Sequence, residues 1–300
     1  MLFWSPARYD QTGVRMTNQL PLFESLVAPG RPSKPALRFY GGKWSLADWV
    51  ISYFPHGFEK MHYVEPFGGA AGVLLSKPPS ILETYNDLDS RLVTFFRVLR
   101  ERPKELARVL ELTPFSREEY MRSFEPAGDE LETARRLFVS QWQAIGGTNG
   151  RKSGWRILRF PDGRYSAPAR DYARAVDNLN DIARRFWGVQ IENLPALELI
   201  RKTDSAETLF YVDPPYPHET RGSKGKSYAY EMTPDDHREL SETLGRLRGF
   251  VLLSSYRSGL YDELFPHWTR VDRDSKTMSG GSAVESLYLS PRLSENLGTM

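Results

Sequence analysis

The chain has 300 residues, 40% hydrophobic and 26% charged, with 40 basic against 38 acidic side chains and a net charge of +2. That composition supports one large core or two ordinary ones, and the lack of cysteine excludes disulfides, thiolate metal sites and cysteine nucleophiles. No apolar run reaches the roughly 18 residues that span a membrane, and Met1-Leu2-Phe3-Trp4 lacks the basic and long apolar regions of a secretory signal, so a reducing cytoplasm is the expected location.

Residues 1–35 carry Pro21, Gly30, Pro32 and Pro35 with little periodicity, and read as a flexible tail. Within them, Gln19-Leu20-Pro21-Leu22-Phe23 resembles the short peptide that many bacterial proteins insert into the replicative sliding clamp. An extended segment with two leucines and an aromatic ring suits a hydrophobic groove. Phe39-Tyr40-Gly41-Gly42-Lys43 follows, a turn that closes over a ligand or simply leads into a helix over 46–54 with Ser45 as its cap. A strand over 61–65 then runs into Pro66-Phe67-Gly68-Gly69-Ala70-Ala71-Gly72, after which Val73-Leu74-Leu75 opens a predicted helix. Glycines let backbone amides approach a ligand, and a helix N-terminus adds partial positive charge. The spacing is not that of a dinucleotide fingerprint, and no phosphate-loop lysine follows. Glu65, immediately before the turn, would repel a diphosphate and attract a cationic or amine-bearing group.

The next strand, over 83–86, ends in Asn86-Asp87-Leu88-Asp89, and a helix is expected over 91–100. A carboxylate about twenty residues past a glycine turn is placed to meet ribose hydroxyls; the plainer role of an Asp there is a helix cap. From Pro103 to about Phe186 the pattern turns helical, with the loop Gly146-Gly147-Thr148-Asn149-Gly150. Strands return over 188–192, 209–212, 250–255, 269–272 and 286–290, so a doubly wound, mostly parallel α/β sheet is interrupted by a helical insertion. The expected division is 36–102 and 188–292 for the sheet, 103–187 for the insertion, and 293–300 for a C-terminal tail.

The insertion holds most of the basic surplus. Between Arg135 and Trp187 stand eleven basic and four acidic residues, with Trp142, Trp155, Phe160, Tyr165 and Tyr172 among them. Arginine-rich, aromatic-laced stretches suit phosphate and guanine edges, so this region is read as a surface for double-stranded DNA, with Arg151, Lys152, Arg156 and Arg159 as its contacts.

The most informative stretch is Asp213-Pro214-Pro215-Tyr216, which closes the apolar strand Leu209-Phe210-Tyr211-Val212. Two prolines stop the strand and leave a carboxylate, a carbonyl and an aromatic ring at its C-terminal edge, where open α/β sheets bind ligands. Two acceptors and a stacking face suit the exocyclic amine of a nucleobase taken out of its stack. If Asp213 and the Pro214 carbonyl accept both amine protons, the nitrogen lone pair is freed to attack, and Tyr216 holds the ring in line. The following loop, His218 to Lys226, offers Arg221, Lys224 and Lys226 as phosphate clamps. Thr233 and Pro234 read as a helix start and His237 as structural. The five histidines show no ligand spacing with carboxylates, so no metal is expected.

Taken in order, Phe39 to Lys43, Val64 to Gly72, Asn86 to Asp89 and Asp213 to Tyr216 resemble the motifs of the Dam-like family of adenine-N6 DNA methyltransferases. The strand Glu285-Ser286-Leu287-Tyr288-Leu289-Ser290-Pro291 resembles that family's closing strand, so the likeness covers about 37 to 291. It implies a Rossmann-like methyltransferase sheet that binds S-adenosylmethionine and a target-recognition insertion. The family's cofactor contacts match Phe39, Lys43, Asp87 and Asp213, with Glu65, Phe67, Gly68 and Gly69 bordering the methionine end and Tyr40, Gly41 and Gly42 in the first motif. Asp213, Pro214, Pro215 and Tyr216 would hold the adenine. The likeness does not extend clearly through the insertion. Methylation at cytosine carbon-5 normally needs a cysteine and is excluded; cytosine-N4 transfer, or a non-catalytic DNA-binding protein on the same fold, are the alternatives.

Overall fold

A computed structural model describes residues 30–39, 41–146, 152–156, 167–220, 229–276 and 282–298. The first half of the sheet contains α1 (Ala47–Ile51), β1 (His62–Glu65), β2 (Leu82–Asn86) and α2 (Ser90–Glu101). The insertion supplies α3 (Pro103–Glu111), α4 (Arg117–Arg122), α5 (Glu130–Gln143), α6 (Pro168–Asp177) and α7 (Leu179–Phe186). The chain then returns through β3 (Val189–Glu192), α8 (Ala196–Thr203), β4 (Thr208–Val212), α9 (Pro234–Leu244), β5 (Phe250–Tyr256), α10 (Gly259–Leu264), β6 (Thr269–Lys276), β7 (Ser282–Leu289) and α11 (Pro291–Leu297).

These strands form one sheet in the order β3-β2-β1-β4-β5-β7-β6. Its first five strands run parallel, and β7 lies antiparallel to both β5 and β6. The central parallel strands β1, β4 and β5 are buried on both faces, whereas the edge strand β3 is partly exposed. Residues of alternate orientation therefore feed two cores: Tyr63, Tyr85, Leu209 and Tyr211 on one side, Val64, Phe210 and Val212 on the other. The first core runs without a break from the sheet through Phe95 and Phe96 of α2 into Phe138 of α5 and Phe186 of α7. Phe96 and Phe186 stack at 4.4 Å. The insertion thus packs directly on the helix that flanks β2. The second core is closed by Leu199 and Ile200 of α8, Leu240 and Leu244 of α9, and Tyr261 of α10.

Four helix starts follow their sequence signals, but the helix expected over 46–54 is only Ala47–Ile51, with Leu46 rather than Ser45 at its N-cap and no side-chain cap bond. Thr233 and Asp236 form the reciprocal capping box before α9, and Asp89, Ser116 and Asp129 cap α2, α4 and α5. His237 is buried against the Tyr261 hydroxyl, 3.1 Å from Nδ1. The predicted helix at Val73-Leu74-Leu75 is not formed. Gly69 and Ala71 both take positive φ, 49° and 55°, which breaks the helical path. Single turns follow, Leu75 to Ala71 and Lys77 to Val73, before Pro78 and Pro79 stop the chain. The approach to the glycine turn is therefore made of individual amides, with no helix dipole behind it.

Residues 30–35, read as tail from the sequence, are tied to the α6–α7 junction: Ser33 donates to Asn178 Oδ1 and Asn178 Nδ2 donates to the Lys34 carbonyl. At the other end α11 continues to Leu297, with Leu293 buried. No helix among the described residues is long and apolar enough to cross a membrane. The proposed clamp peptide at Gln19 to Phe23 lies outside the described residues.

Candidate active site

The sheet order reverses between β1 and β4, and a cavity of about 520 Å³ opens there, beyond the C-terminal ends of β1, β2 and β4. Such switch points are where doubly wound sheets take ligands, and the size is that of a small-molecule site. One wall is the Phe39 to Lys43 turn, closed by the Gly42 amide on the Phe39 carbonyl at 3.1 Å with Gly41 at φ 74°. Tyr40 lies outside the described residues.

The second wall is the glycine turn after β1. Asp87 clasps it: Oδ2 accepts from the Gly69 amide at 2.9 Å and Oδ1 from the Asp89 amide at 2.8 Å. Burial pushes the Asp87 carboxyl up to about 6, against these amide bonds. Asp87 lines the cavity while also holding the turn. Gly68 has no room for a side chain, since an added Cβ would stand 2.2 Å from Cε2 of buried Tyr85 and 2.9 Å from the Asn86 carbonyl oxygen. Gly68→Ala is expected to displace the turn and lower the affinity of a ligand bound in this cavity by at least about tenfold, as titration calorimetry would show; unchanged affinity would mean that the turn is dispensable.

Glu65, at the end of β1, is 2% exposed. Its Oε1 accepts from the Tyr63 hydroxyl at 2.5 Å and the Leu74 amide at 2.8 Å. Burial pushes its carboxyl up to about 8, more than these bonds and Lys77 lower it, so it holds a proton at neutral pH. Phe67 and Asn86 complete this corner. Asn86, to which its motif assigns no role, joins three segments, donating to the Pro66 and Leu194 carbonyls and accepting from the Leu194 amide.

The third wall is the β4 edge. Lys43, 6% exposed, reaches 2.9 Å from Asp213 Oδ1 and 3.0 Å from Oδ2, and donates to the Gly41 carbonyl at 2.8 Å. Its hydrogen bond is directed to Oδ2, so Oδ1 is buried close to the ammonium yet accepts no hydrogen bond. Burial and then the charge of Glu285 raise the Asp213 carboxyl to about 6, against the pull of Lys43. Asp213 and Pro215 face the cavity, whereas Pro214 and Tyr216 are buried beside it. The Tyr216 ring lies under the Lys43 ammonium, 4.8 Å from centroid to nitrogen, and meets Tyr256 edge-on at 4.9 Å. Its hydroxyl donates to Glu285. The sequence pattern puts Glu285 on the closing strand and gives it no part in the site; only the fold of β7 beside β5 reveals one.

The basic surplus of the insertion is smaller than the count over 135–187 implies. Arg135 binds Glu119 and Glu132, Arg136 binds Glu132, Arg184 binds Asp181, and Arg185 is buried on Glu83. Most of these acids lie outside the counted window, so a linear charge sum misses them. Of the proposed DNA contacts, Lys152 is exposed and Arg156 pairs with Asp171 at 3.2 Å. Arg156 Nη1 and the neighbouring Arg38 Nη1 are buried without a hydrogen-bond partner among the described residues. Arg151, Arg159, Arg221, Lys224 and Lys226 lie outside the described residues. No cluster of three or more metal-ligating side chains occurs among the described residues.

Asp213 thus lines a switch-point cavity together with the glycine turn. The model of the D12 class N6 adenine-specific DNA methyltransferases matches residues 39–276. The chain belongs to that family. It is thus an adenine-specific DNA methyltransferase, and its mixed sheet is the Rossmann-like methyltransferase fold. The methyltransferase is also 23% identical over 266 residues to the "Type II methyltransferase M1.LlaDCHI" of Lactococcus lactis subsp. cremoris, covering 84% of this chain and 91% of that protein.

Proposed function

We propose that the methyl donor is S-adenosylmethionine, bound in the switch-point cavity, and that Asp213 at the β4 edge accepts the target adenine amine. The observation that carries this reading is the Asp213 carboxylate, which lines the cavity and whose buried Oδ1 is ion-paired with Lys43 at 2.9 Å but accepts no hydrogen bond. The residues present fit the donor: Glu65 and Asp87 offer carboxylates to an ammonium and to ribose hydroxyls, and Phe39, Phe67, Gly68 and Gly69 line the space between. When bound, the cofactor supplies an electrophilic methyl group. The protein's part is positioning and charge. Asp213 Oδ1 and the Pro214 carbonyl accept the amine protons, which draws the nitrogen lone pair out of the ring. Asp213, ionised above about pH 6, then takes the proton that the amine sheds. Lys43, 2.9 Å from Oδ1 and 3.0 Å from Oδ2, holds the carboxylate in place for the base.

Cofactor binding should carry a pH signature. Glu65 is protonated below about pH 8. A ligand ammonium beside it favours the carboxylate and expels that proton, so cofactor affinity rises as pH climbs toward 8. Calorimetry at pH 7 in buffers of different ionisation heat should register proton release in the wild type and none in Glu65→Gln. Heat independent of buffer in the wild type would reject the contact between Glu65 and the ammonium.

The insertion over 103–187 is the proposed reader of double-stranded DNA, with the sheet parts over 36–102 and 188–292 as the cofactor-binding unit. Arg156 pairs with the end of α5, its amide bonded to the Gln143 carbonyl and the Ile145 amide to the Gly154 carbonyl, and Lys152 stands two residues before Gly154. Replacing Arg151, Lys152 and Arg156 together should flatten the salt dependence of DNA binding, by about one unit of log–log slope for each phosphate no longer neutralised; an unchanged slope would place the DNA elsewhere. The relative's name favours membership of a restriction–modification pair, acting in the cytoplasm. Docking of Gln19 to Phe23 on a sliding clamp is proposed on the peptide's likeness alone.

A further inference from the structure

We propose that Glu285 is a positioning residue for methyl transfer, holding Lys43 and Tyr216 in place around the Asp213 carboxylate. This inference rests on the role given to Asp213 above.

Glu285 comes from the antiparallel strand β7, two strands away from β4, and pairs in register with Tyr256 at the end of β5. It is 4% exposed. Burying a carboxylate is costly unless it is paired and hydrogen-bonded, and both polar partners described for Glu285 border the β4 edge. Its Oε1 accepts from the Tyr216 hydroxyl and stands 3.5 Å from Lys43 Nζ. Lys43 is thereby shared between two carboxylates, Asp213 at 2.9 Å and Glu285 at 3.5 Å.

This sharing acts first on geometry. With Glu285 present, the ammonium is held from two sides, by both Asp213 oxygens at 2.9 Å and 3.0 Å and by Glu285 at 3.5 Å. Without it, Lys43 would keep Asp213 as its one anionic partner among these groups and lose the contact that fixes its distance from that carboxylate. The second effect concerns charge. Lys43, Asp213 and Glu285 together carry one net negative charge when both acids are ionised, which favours the positive charge gathering on the amine nitrogen as it gains a methyl and before it passes its proton to Asp213. The Tyr216 hydroxyl, anchored on Glu285, sets the tilt of its ring beside the cavity.

Asp213 is faced by Lys43 from the 39–43 turn, Glu285 from β7, Tyr216 after its own strand, Glu65 from β1, Tyr211 from β4 and Tyr261 from α10. Of these, Lys43 lowers and Glu285 raises the Asp213 carboxyl most strongly after burial itself. Removing the Glu285 charge should therefore ease ionisation of Asp213.

The test compares wild type with Glu285→Gln, which keeps the shape and an acceptor for Tyr216 but removes the charge, and with Glu285→Ala, which removes both. In Glu285→Gln, kcat is expected to fall roughly tenfold with KM for DNA and cofactor within about twofold, and the acid limb of the pH–rate profile to move to lower pH. The Asp213 carboxyl, followed by 13C NMR in cofactor-free protein and assigned by its absence in Asp213→Asn, should titrate at lower pH in the same variant. Glu285→Ala should lose more activity than Glu285→Gln. An unchanged kcat with an unmoved Asp213 titration would overturn the inference. So would a loss of activity that tracks a lowered unfolding midpoint in both variants while the titration stays in place. Wild type that transfers no methyl group to adenine would instead reject the proposed role of the site, a separate failure from that of Glu285.

Discussion

Asp213→Ala is expected to lower methyl transfer by about a thousandfold or more while leaving cofactor affinity within roughly threefold. The substitution removes the buried acceptor Oδ1 and the partner that holds Lys43 in place. The Phe39 turn, the glycine turn and Asp87, the proposed cofactor walls, are held together by hydrogen bonds that do not involve it. Single-turnover transfer and equilibrium binding, measured on the same preparation, separate the two effects. Activity within about tenfold of wild type would sink the role assigned to the β4 edge. Loss of cofactor binding in step with transfer would instead make Asp213 chiefly a binding residue. Tyr216→Phe provides a milder comparison, because it keeps the ring and removes only the hydroxyl that Glu285 accepts.

The largest effect on stability should come from Glu83→Ala. Glu83, on β2, accepts from Lys77 Nζ at 2.5 Å and from Arg185 at 2.5 Å and 2.8 Å. All three side chains are 3% exposed or less. Burial alone would raise the Glu83 carboxyl, yet Arg185 and Lys77 hold it below the ordinary range, and burial lowers Lys77 to about 8. Removing the acid leaves two buried cations without a counter-charge, which costs about 3–5 kcal/mol. The cluster also reaches the site. Arg185 donates to the Leu74 carbonyl at 2.8 Å, and the Leu74 amide donates to Glu65, so α7 of the insertion braces the turn proposed to hold the cofactor. Urea unfolding gives the loss directly, and a value under about 1 kcal/mol would show that the cluster is no more than a surface-like pair. Replacing all three residues by apolar ones of similar volume should recover much of the stability, though Glu65 would lose its brace.

The parts legible in the sequence were those in which one short segment carries both fold and chemistry. Leu209 to Tyr216 shows a buried strand, a proline stop and an acceptor in eight consecutive residues, and β4 with its edge stands where that pattern placed it. Thr233 to Asp236 likewise encodes its own helix start. Features that depend on distant segments were hidden. Glu285 looks like any charged residue on a late strand until β7 pairs beside β5 and turns it toward Lys43, 242 positions earlier in the chain. The basic insertion misled for the same reason, since Arg185 finds its counter-charge on β2 and Arg135 on α4. The missing helix after Gly72 is a different case: Ala71 at positive φ is a conformation that no residue pattern announces.

The decisive measurement incubates wild-type enzyme with methyl-labelled S-adenosylmethionine and mixed-sequence double-stranded DNA, then digests the DNA to nucleosides for mass analysis. Label in N6-methyladenine, absent with Asp213→Ala, is the predicted result, and mapping the modified positions would give the target sequence. Label in N4-methylcytosine, or the same N6-methyladenine yield from Asp213→Ala, would contradict it.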